Sequence, residues 1–429
     1  MNMNMNMNNE ESIIDERLRR FFSDDGDDPF HVSRQVIDSF MNDYAYAYAY
    51  VSSSSEGEGG PLPLLSRCEC HPCISDKDVN DDDRDHDDDH DSDIHMFFEP
   101  IYRTKTLAID DAATASHPPA HPAGMDQKRK GQSFKLQIAY KGQEFCGWQI
   151  QPNNDTPSVQ QTLIDRLDPL LNIDFDKPID IRVCGRTDAG VSAYAQCCRV
   201  RTLRSEDEIG AAAIQQAINR PSMENTKGNC NNGMIMSPSP ALLCTTVERV
   251  TDKFHPTFDA KSRGYLYLID SEPLLAMVNE FQEHGHTVPI EDIVLLLNAM
   301  LNKLRGKELD YFALSFGKVK TTTTLCTLSR SRAFLVEARD GQRAVGIELV
   351  GDRFLRKMVR ILSSTSIREL VQVFEKNKNG AGSGSNGPAI QQWTEDDECR
   401  LLMLVNERNR MHSAKAASSN GLMFVGARF

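Results

Sequence analysis

The chain has 429 residues, of which 40% are hydrophobic, and it carries a formal net charge of −14 at pH 7. A chain of this length can bury a sizeable core and has room for two or more domains. No apolar stretch approaches the ~20 consecutive residues that a membrane helix requires, so we expect neither a membrane-spanning helix nor a membrane partner.

The negative charge lies in the first third of the chain. Residues 1–131 contain 28 acidic and 12 basic residues, which leaves 34 acidic and 36 basic residues for 132–429. The same first segment is of low complexity, with runs such as NDDDRDHDDDHDSD, and it lacks the periodicity of a packed helix or strand. We predict a disordered acidic extension over 1–131, followed by a core of nearly balanced charge.

Eleven cysteines at irregular spacing, without a secretory signal, indicate a reducing compartment rather than a disulfide framework. The cytoplasm, the nucleus and an organelle all stay open. Four soft ligands cluster in CECHPC (68–73), but a structural zinc site usually has a second ligand pair, and none is visible. We therefore favour reduced surface thiols over a metal site, and a partner-binding or metal-binding extension is kept as an alternative.

The first elements of the core alternate between strand and helix. FKLQIAY (134–140) alternates apolar and polar residues, which predicts a half-buried strand, and a glycine-containing turn follows it. The next run predicts a helix that is capped by Thr156 and has Pro157 as its first residue. A second helix is predicted over about 206–219.

The rest of the chain predicts strands in hairpin-like pairs with helices between them, which is typical of an α+β fold rather than a doubly wound parallel sheet. The predicted elements are strands within 246–270, a helix over 287–306, a hairpin over 331–351 that turns at Asp340–Gly341, a basic helix over 352–375, a helix near 394–407 and a strand over 421–429. Polar segments at about 224–240 and 376–388 are predicted insertions. We expect the core to divide into 132–250 and 251–429.

Asp188 lies between two glycines in RVCGRTDAGVSA (182–193), and strand-like residues flank this segment. An aspartate in such a loop is most often a turn residue whose carboxylate accepts hydrogen bonds from backbone N–H groups. The alternative is a reactive carboxylate. No phosphate-binding loop, metal-ligand spacing or Ser–His–Asp order accompanies it, so the surrounding residues alone leave both readings open.

Five segments carry a resemblance to a known family, in this order along the chain. They are YKGQEFCGWQ (140–149), GRTDAGVSA (185–193), FHPTFDAKSRGYLY (254–267), DRFLRKMVR (352–360) and GLMFVGARF (421–429). Together they resemble the tRNA pseudouridine synthase A (TruA) family over about 133–429, and GRTDAGV is the most specific of them.

The resemblance implies an α+β protein of two α/β subdomains, with antiparallel sheets flanking a central active-site cleft. It implies an isomerase that converts uridine to pseudouridine in the anticodon stem-loop of tRNA, at family positions 38–40. It also implies that the enzyme works without a cofactor or a metal and that it is a homodimer.

The resemblance further implies roles for four residues. Asp188 would be the catalytic nucleophile, and Arg360 would pair with it. Tyr265 would stack on the flipped uracil, and Arg186 would contact the substrate RNA. Tyr267, two residues further along the same strand, is predicted to be a core tyrosine.

Two departures from the family pattern leave open a catalytically silent relative that binds tRNA. Ser192 stands where the family usually has histidine, and FHPTF carries Pro256 and Thr257 where the family commonly has alanine and a basic residue. Because the core is nearly neutral, affinity for RNA must come from clustered cations. Each candidate could equally be a solvent-exposed surface residue with no role in RNA binding. The candidates are Arg182, Arg199, Arg201, Lys261, Arg263, Arg353, Arg356 and Lys357.

Overall fold

The computed structural model describes residues 131–152, 154–172, 179–205, 207–220, 241–280, 287–319, 321–337, 343–380 and 399–429. Four predictions fall outside these ranges: the disordered extension, the character of the CECHPC segment, the insertion at 224–240 and the turn at Asp340–Gly341. They stay predictions.

In the described part of the chain, nine strands form one sheet that is antiparallel at every pairing except one. Eight strands follow the order β4-β1-β3-β9-β5-β8-β7-β6, and β2 pairs with β3 beside this path. The strands are β1 (Gln132–Tyr140), β2 (Asp180–Val183), β3 (Ser192–Thr202), β4 (Leu242–Val250), β5 (Ser262–Asp270), β6 (Glu308–Asp310), β7 (Leu325–Glu337), β8 (Arg343–Gly351) and β9 (Leu422–Arg428). This mixed, mainly antiparallel architecture confirms the predicted α+β class.

The one parallel pairing joins β3 to β9, with Ser192 opposite Met423 and Ala193 opposite Phe424. The strands from 132–250 lie on one side of this junction, and the strands from 251–429 lie on the other. The division into two subdomains stays a prediction, because the sheet itself runs through the junction without a break.

Six helices pack with the sheet in the described residues. They are α1 (Val159–Leu171), α2 (Ala211–Asn219), α3 (Ser271–Asn279), α4 (Ile290–Asn302), α5 (Met358–Gly380) and α6 (Arg400–Asn406). Their apolar spacing explains the packing, since Val159, Leu163 and Leu167 of α1 are fully buried one turn apart.

The helix caps and ends differ from the predictions in several places. Helix α4 covers Ile290–Asn302 rather than 287–306, and α5 begins at Met358 rather than at 352. Ser158, not Thr156, is the N-cap of α1, and its hydroxyl accepts from the Gln161 N–H at 3.1 Å; Pro157 therefore precedes the helix. Helix α2 begins at Ala211, later than predicted, because Gly210 is its N-cap. Helix α6 begins at Arg400, after its N-cap Cys399, and ends at Asn406; residues 394–398 of the predicted helix lie outside the described ranges.

Another difference concerns the predicted insertion at 376–388. Helix α5 continues to Gly380, so the first five residues of that segment are helical and not linker. The hairpin is confirmed, because β7 and β8 pair antiparallel from Leu328 opposite Gly351 to Glu337 opposite Arg343, with one register shift between Leu328 and Arg330.

Two core clusters meet on the helix-covered face of the sheet. Phe424 of β9 belongs to the cluster of the first half, whereas Leu422 of the same strand belongs to the cluster of the second. Tyr265 of β5 packs against both clusters. The seam between the two halves therefore passes through Tyr265. Among the described residues, no helix combines the length and apolar character that a transmembrane span requires.

Candidate active site

Asp188 lies in the loop between β2 and β3, and its side chain is 44% exposed. The Asp188 carbonyl accepts from the Val191 N–H at 3.3 Å, which closes the loop. Within the described residues, however, no backbone N–H donates to the carboxylate. The hydrogen bonds that the turn interpretation expects of the carboxylate are therefore not seen.

The partner of that carboxylate is the guanidinium of Arg360, near the start of α5. Nη1 of Arg360 lies 3.4 Å from Oδ2 of Asp188, and the Arg360 side chain is 8% exposed. Nε of Arg360 donates to the Ala417 carbonyl, and the Ala417 N–H donates back to the Arg360 carbonyl at 3.2 Å. A cation held this firmly orients the carboxylate beside it.

Tyr265 lies in the middle of β5, near the Asp188 loop. Its half-buried ring meets Phe354 and Phe424 edge to face, at centroid distances of 4.8 and 5.1 Å. Its hydroxyl would lie 3.7 Å from a Cβ at Gly185, which places it under the Asp188 loop. Burial raises the pKa of Tyr265 above its ordinary value, and the charge of Asp188 raises it further. The hydroxyl is therefore a phenol, and a hydrogen-bond donor, at neutral pH.

Arg186 is exposed on the same loop, two residues before Asp188. Its Nη1 donates to Oε1 of Gln149 at 2.6 Å. The structure thus brings Asp188 and Arg360 into contact and sets Tyr265 beneath the loop, whereas Arg186 is displayed at the surface. Tyr267 is buried and donates to the Ser418 carbonyl at 3.0 Å, which confirms its core role.

A buried polar network that the sequence did not reveal supports the loop from below. The hydroxyl groups of Tyr140 and Thr187 lie 2.8 Å apart, and Nε2 of Gln196 donates to the Gly185 carbonyl at 2.8 Å. Burial raises the pKa of Tyr140 to about 12. Tyr140 and Gln196 both lie on strands, so the sheet fixes the residues that flank Asp188.

The GQEFCGW turn packs on the other side of the loop. The Trp148 N–H donates to the Thr187 carbonyl at 3.1 Å, and Gly142 approaches so closely that a Cβ there would meet the Val191 backbone at 2.3 Å. Ser192, the residue that replaces the family histidine, accepts from the Gly142 N–H at 3.0 Å. In this chain Ser192 therefore links the turn to β3.

The predicted RNA-binding cations divide into paired and open groups. Arg182 and Arg199 both pair with Asp180, at 2.7 and 3.2 Å, and Arg201 lies 3.8 Å from Asp252. Arg263 donates to two backbone carbonyls, and Arg353 lies 3.8 Å from Asp352.

Arg356 and Lys357 flank the ring of Phe316, and Lys261 is exposed. RNA contact by the eight cations stays a prediction. Thr257, which departs from the family's basic residue, instead donates to the Val183 carbonyl at 2.7 Å. Within the described ranges, no three His, Cys, Asp or Glu side chains converge as metal ligands.

No protein-family model matches the chain. Curated relatives named tRNA pseudouridine synthase A do match it. The protein of Francisella tularensis subsp. novicida is 24% identical over 297 residues, which cover 69% of this chain and 94% of the relative. The protein of Pelobacter propionicus is 28% identical over 235 residues, or 55% of this chain and 83% of the relative. The protein of Solibacter usitatus is 28% identical over 265 residues, or 60% of this chain and 95% of the relative. The chain is a homologue of the tRNA pseudouridine synthases A, a group of isomerases.

Proposed function

We propose that this protein is a tRNA pseudouridine synthase that isomerises uridines of the anticodon stem-loop, at family positions 38–40, with Asp188 as nucleophile. The observation that carries the proposal is the contact between Asp188 and Arg360. A buried guanidinium holds one carboxylate oxygen, and the described residues offer no hydrogen-bond donor to the other. That second oxygen is free to attack an electrophilic carbon of the nucleoside.

The reaction changes connectivity and not composition. The bond between C1′ and N1 of uridine breaks, a bond between C1′ and C5 forms, C5 loses a proton and N1 gains one. The oxidation level of the nucleoside is unchanged, so the chemistry calls for no oxidant or reductant. It does require that the detached uracil be held while it turns.

Tyr265 is suited to that holding role. Its ring is fixed between Phe354 and Phe424, and its pKa is raised by burial, so it presents a rigid face and a protonated hydroxyl. The face can stack on the uracil, and the hydroxyl can donate to a uracil oxygen. Both contacts keep the base in place between bond cleavage and bond formation.

Arg186 is suited to RNA contact rather than to chemistry. It is exposed, it lies on the loop of Asp188, and its described partner is the neutral Gln149 rather than an acid. A cation at this position can bind a phosphate next to the target uridine and stabilise the flipped-out nucleotide.

The test is to map pseudouridine in unmodified tRNA transcripts treated with the wild-type protein and with Asp188→Asn. We expect pseudouridine at 38–40 with the wild type and a loss of about 10³-fold or more with Asp188→Asn. Asp165→Asn is the matched control, because Asp165 is exposed on α1 and accepts only a Gln161 side-chain bond. If Asp188→Asn retained activity, the nucleophile would be another residue.

The same experiment separates the alternatives. If the protein is a catalytically silent relative, the wild-type protein itself would bind the transcript and leave every uridine unchanged. A role of the acidic extension in binding a partner or a metal concerns residues outside the described ranges and stays a prediction. We also propose a homodimer, on the resemblance alone. Light scattering at micromolar concentration should give twice the chain mass, and a monomer mass would contradict it.

A further inference from the structure

Cations from two separate segments, 356–357 and 408–410, cover two phenylalanines near the Asp188–Arg360 pair. Phe312 and Phe316 lie at the two ends of the short segment 312–316, and four cations cover their rings. We call this set the cation–phenylalanine strip; it consists of Phe312, Phe316, Arg356, Lys357, Arg408 and Arg410.

The contacts within the strip are close. The Arg410 guanidinium lies 4.3 Å from the Phe312 ring centre, and the Lys357 ammonium lies 4.5 Å from the Phe316 ring centre. The Arg408 guanidinium lies 5.6 Å from the Phe312 ring centre, and the Arg356 guanidinium lies 5.3 Å from the Phe316 ring centre. Phe316 is nevertheless 48% exposed, so a large part of its ring is open to a ligand.

The backbone holds two of these cations in an unfavourable conformation. Lys357 and Arg408 have φ angles of 57° and 56°, and they are the only non-glycine residues with positive φ in the described part of the chain. Such conformations cost of order 1 kcal/mol or more each and concentrate at functional sites. Here both positions serve to place a cation over a phenylalanine of the same segment.

The strip carries a surplus of positive charge. Arg408 pairs with Asp310 at 3.1 Å, and Arg410 donates to the neutral Ser315 hydroxyl at 2.8 Å. Among the described residues, no carboxylate lies within ion-pair distance of Arg356, Lys357 or Arg410. Arg356 and Lys357 lie next to the exposed ring of Phe316, and Arg410 covers the neighbouring Phe312 while donating to its carbonyl at 3.3 Å. Cations beside an exposed aromatic ring match the chemistry of single-stranded nucleic acid, which offers phosphates and π-faces together.

The chain itself ties the strip to the proposed active site. One segment, 352–360, carries Phe354 against Tyr265, then Arg356 and Lys357 at Phe316, then Arg360 at Asp188. Lys357 and Arg360 are three residues apart, so their Cα atoms are separated by at most about 11 Å. The Phe316 N–H also donates to the Arg356 carbonyl at 3.0 Å. A nucleotide next to one in the cleft is within reach of the strip.

We propose that the cation–phenylalanine strip binds an unpaired tRNA nucleotide adjacent to the target uridine, with Phe316 stacked on the base and the three open cations on the flanking phosphates. This inference rests on the proposed function. It adds an RNA subsite beside Asp188, in which Arg356 and Lys357, already predicted as RNA contacts, act together with Phe312, Phe316, Arg408 and Arg410, which neither the motifs nor the homology assigned.

Binding of an unmodified tRNA transcript to the full chain tests the strip, with Asp188→Asn as the background so that chemistry does not interfere. Phe316→Leu should raise Kd at least about fivefold, because a base–aromatic stack is lost while the apolar volume is largely kept. Lys357→Gln should lower the slope of log Kd against log salt by about 0.7, the value for one contact to a single strand. Arg343→Gln is the control, since Arg343 pairs with Glu291 away from the strip, and both quantities should stay at the parent value.

A second reporter is Phe316→Trp, whose fluorescence should be quenched on addition of tRNA and not on addition of an equal concentration of inorganic phosphate. The proposal would be overturned if the Phe316→Leu variant had the melting temperature of its parent and bound tRNA with a Kd within about twofold of the parent value. If Phe316→Leu changed the oligomeric mass and left the tRNA affinity unchanged, the strip would be a protein–protein contact, and the proposal would again be overturned. By contrast, a wild-type protein that binds tRNA through the strip but forms no pseudouridine would overturn only the proposed function.

Discussion

Asp188 and Arg360 are 172 positions apart in the chain, yet Oδ2 of one lies 3.4 Å from Nη1 of the other. The carboxylate is half exposed and the guanidinium is buried, so the two contribute unequally. The cation is the fixed member, anchored on the Ala417 carbonyl, and the carboxylate is the member open to a substrate.

Replacing Arg360 by lysine should therefore impair catalysis more than RNA binding. An ammonium cannot reach Asp188 and the Ala417 carbonyl together as the planar guanidinium does. We expect Arg360→Lys to lower single-turnover pseudouridine formation by about 10²-fold, with tRNA affinity within a factor of about three. Arg343→Lys, at an exposed ion pair, should leave both unchanged. Equal losses in the two variants would show that the contact to Asp188 is not used.

Gly190 should tolerate no side chain. Its φ is +80°, and a Cβ would lie 2.8 Å from both the Ser419 hydroxyl and the Asn420 side-chain oxygen. We expect Gly190→Ala to lower the free energy of unfolding by about 1–3 kcal/mol and to displace the Asp188 loop, with a parallel loss of activity. Urea unfolding measures the first effect. Gly210→Ala, where φ is −103° and a Cβ meets nothing within 4 Å, should cost only about 0.5–1 kcal/mol through the weaker N-cap and should leave activity unchanged.

Tyr140→Phe removes the hydroxyl that meets Thr187 at 2.8 Å and leaves a buried Thr187 hydroxyl without that partner. The expected cost is about 1–2 kcal/mol of unfolding free energy, together with a lower kcat, because the residue next to Asp188 is released. The matched control is Tyr311→Phe. The Tyr311 hydroxyl is buried and has no hydrogen-bond partner among the described residues, so its loss should be neutral or stabilising. The opposite ranking would contradict the supporting role of Tyr140.

Substituting Ser192 tests what this residue does at the position where the family usually has histidine. Ser192→Ala leaves the buried Gly142 N–H without its acceptor and should cost about 1–2 kcal/mol of unfolding free energy. Because the hydroxyl faces the turn and makes no described contact with Asp188, we expect kcat to be retained. Ser363→Ala removes a buried, unpartnered hydroxyl from α5 and is the control, expected to be neutral or stabilising. A large loss of kcat in Ser192→Ala alone would mean that Ser192 takes part in the chemistry.

Stability should fall as the solution becomes alkaline. Burial raises the pKa of the Cys198 and Cys244 thiols and that of Tyr140, the last to about 12. Groups with a raised pKa in the folded state stabilise it fully below their unfolded pKa, and this contribution is lost as pH rises through the folded value. The unfolded thiols ionise from about pH 8.5 and the phenols from about pH 10.

Between pH 8.5 and 12 the free energy of unfolding should therefore decrease by up to ~1.4 kcal/mol per pH unit for each such group. Urea unfolding at pH 8 and pH 10 measures the slope. Cys198→Ala removes one group, so its slope between these pH values should be smaller than that of the wild type. An identical slope would mean that the Cys198 thiol is not the titrating group.

Much of the fold follows from local patterns. The alternation in β1 and the four-residue spacing in α1 predicted both elements, and the hairpin of β7 and β8 was visible from its two apolar runs. Helix ends were harder, because Thr156 and Ser158 are equally able to cap and only the packed structure selects Ser158. Lys-Asn-Lys-Asn-Gly at 376–380 reads as a linker by composition, yet it continues α5.

The candidate site was also only partly predictable from the sequence. Asp188, Arg360 and Tyr265 were found by resemblance, since no local rule pairs residues 172 positions apart. Other contacts depend on how strands align and how loops pack, and no short stretch of sequence specifies these. Examples are the hydroxyl contact of Tyr140 with Thr187 and the cations that cover Phe316. Only the structure brings them together.

The parallel junction of β3 and β9 also sets an order of events during synthesis. Strand β9 lies between β3 and β5 at the middle of the sheet, and the ribosome makes it after the other eight strands. Until β9 pairs, the second half of the sheet ends at an open edge of β5, and the first half ends at β3, which β2 covers along Cys198–Arg201 but which is open at Ser192 and Ala193. Open edges of this kind are able to pair with foreign strands. Phe424 then arrives to support Tyr265. The two halves of the sheet are therefore joined only after Leu422–Arg428 has been made and has paired with both, and the candidate site is complete only then.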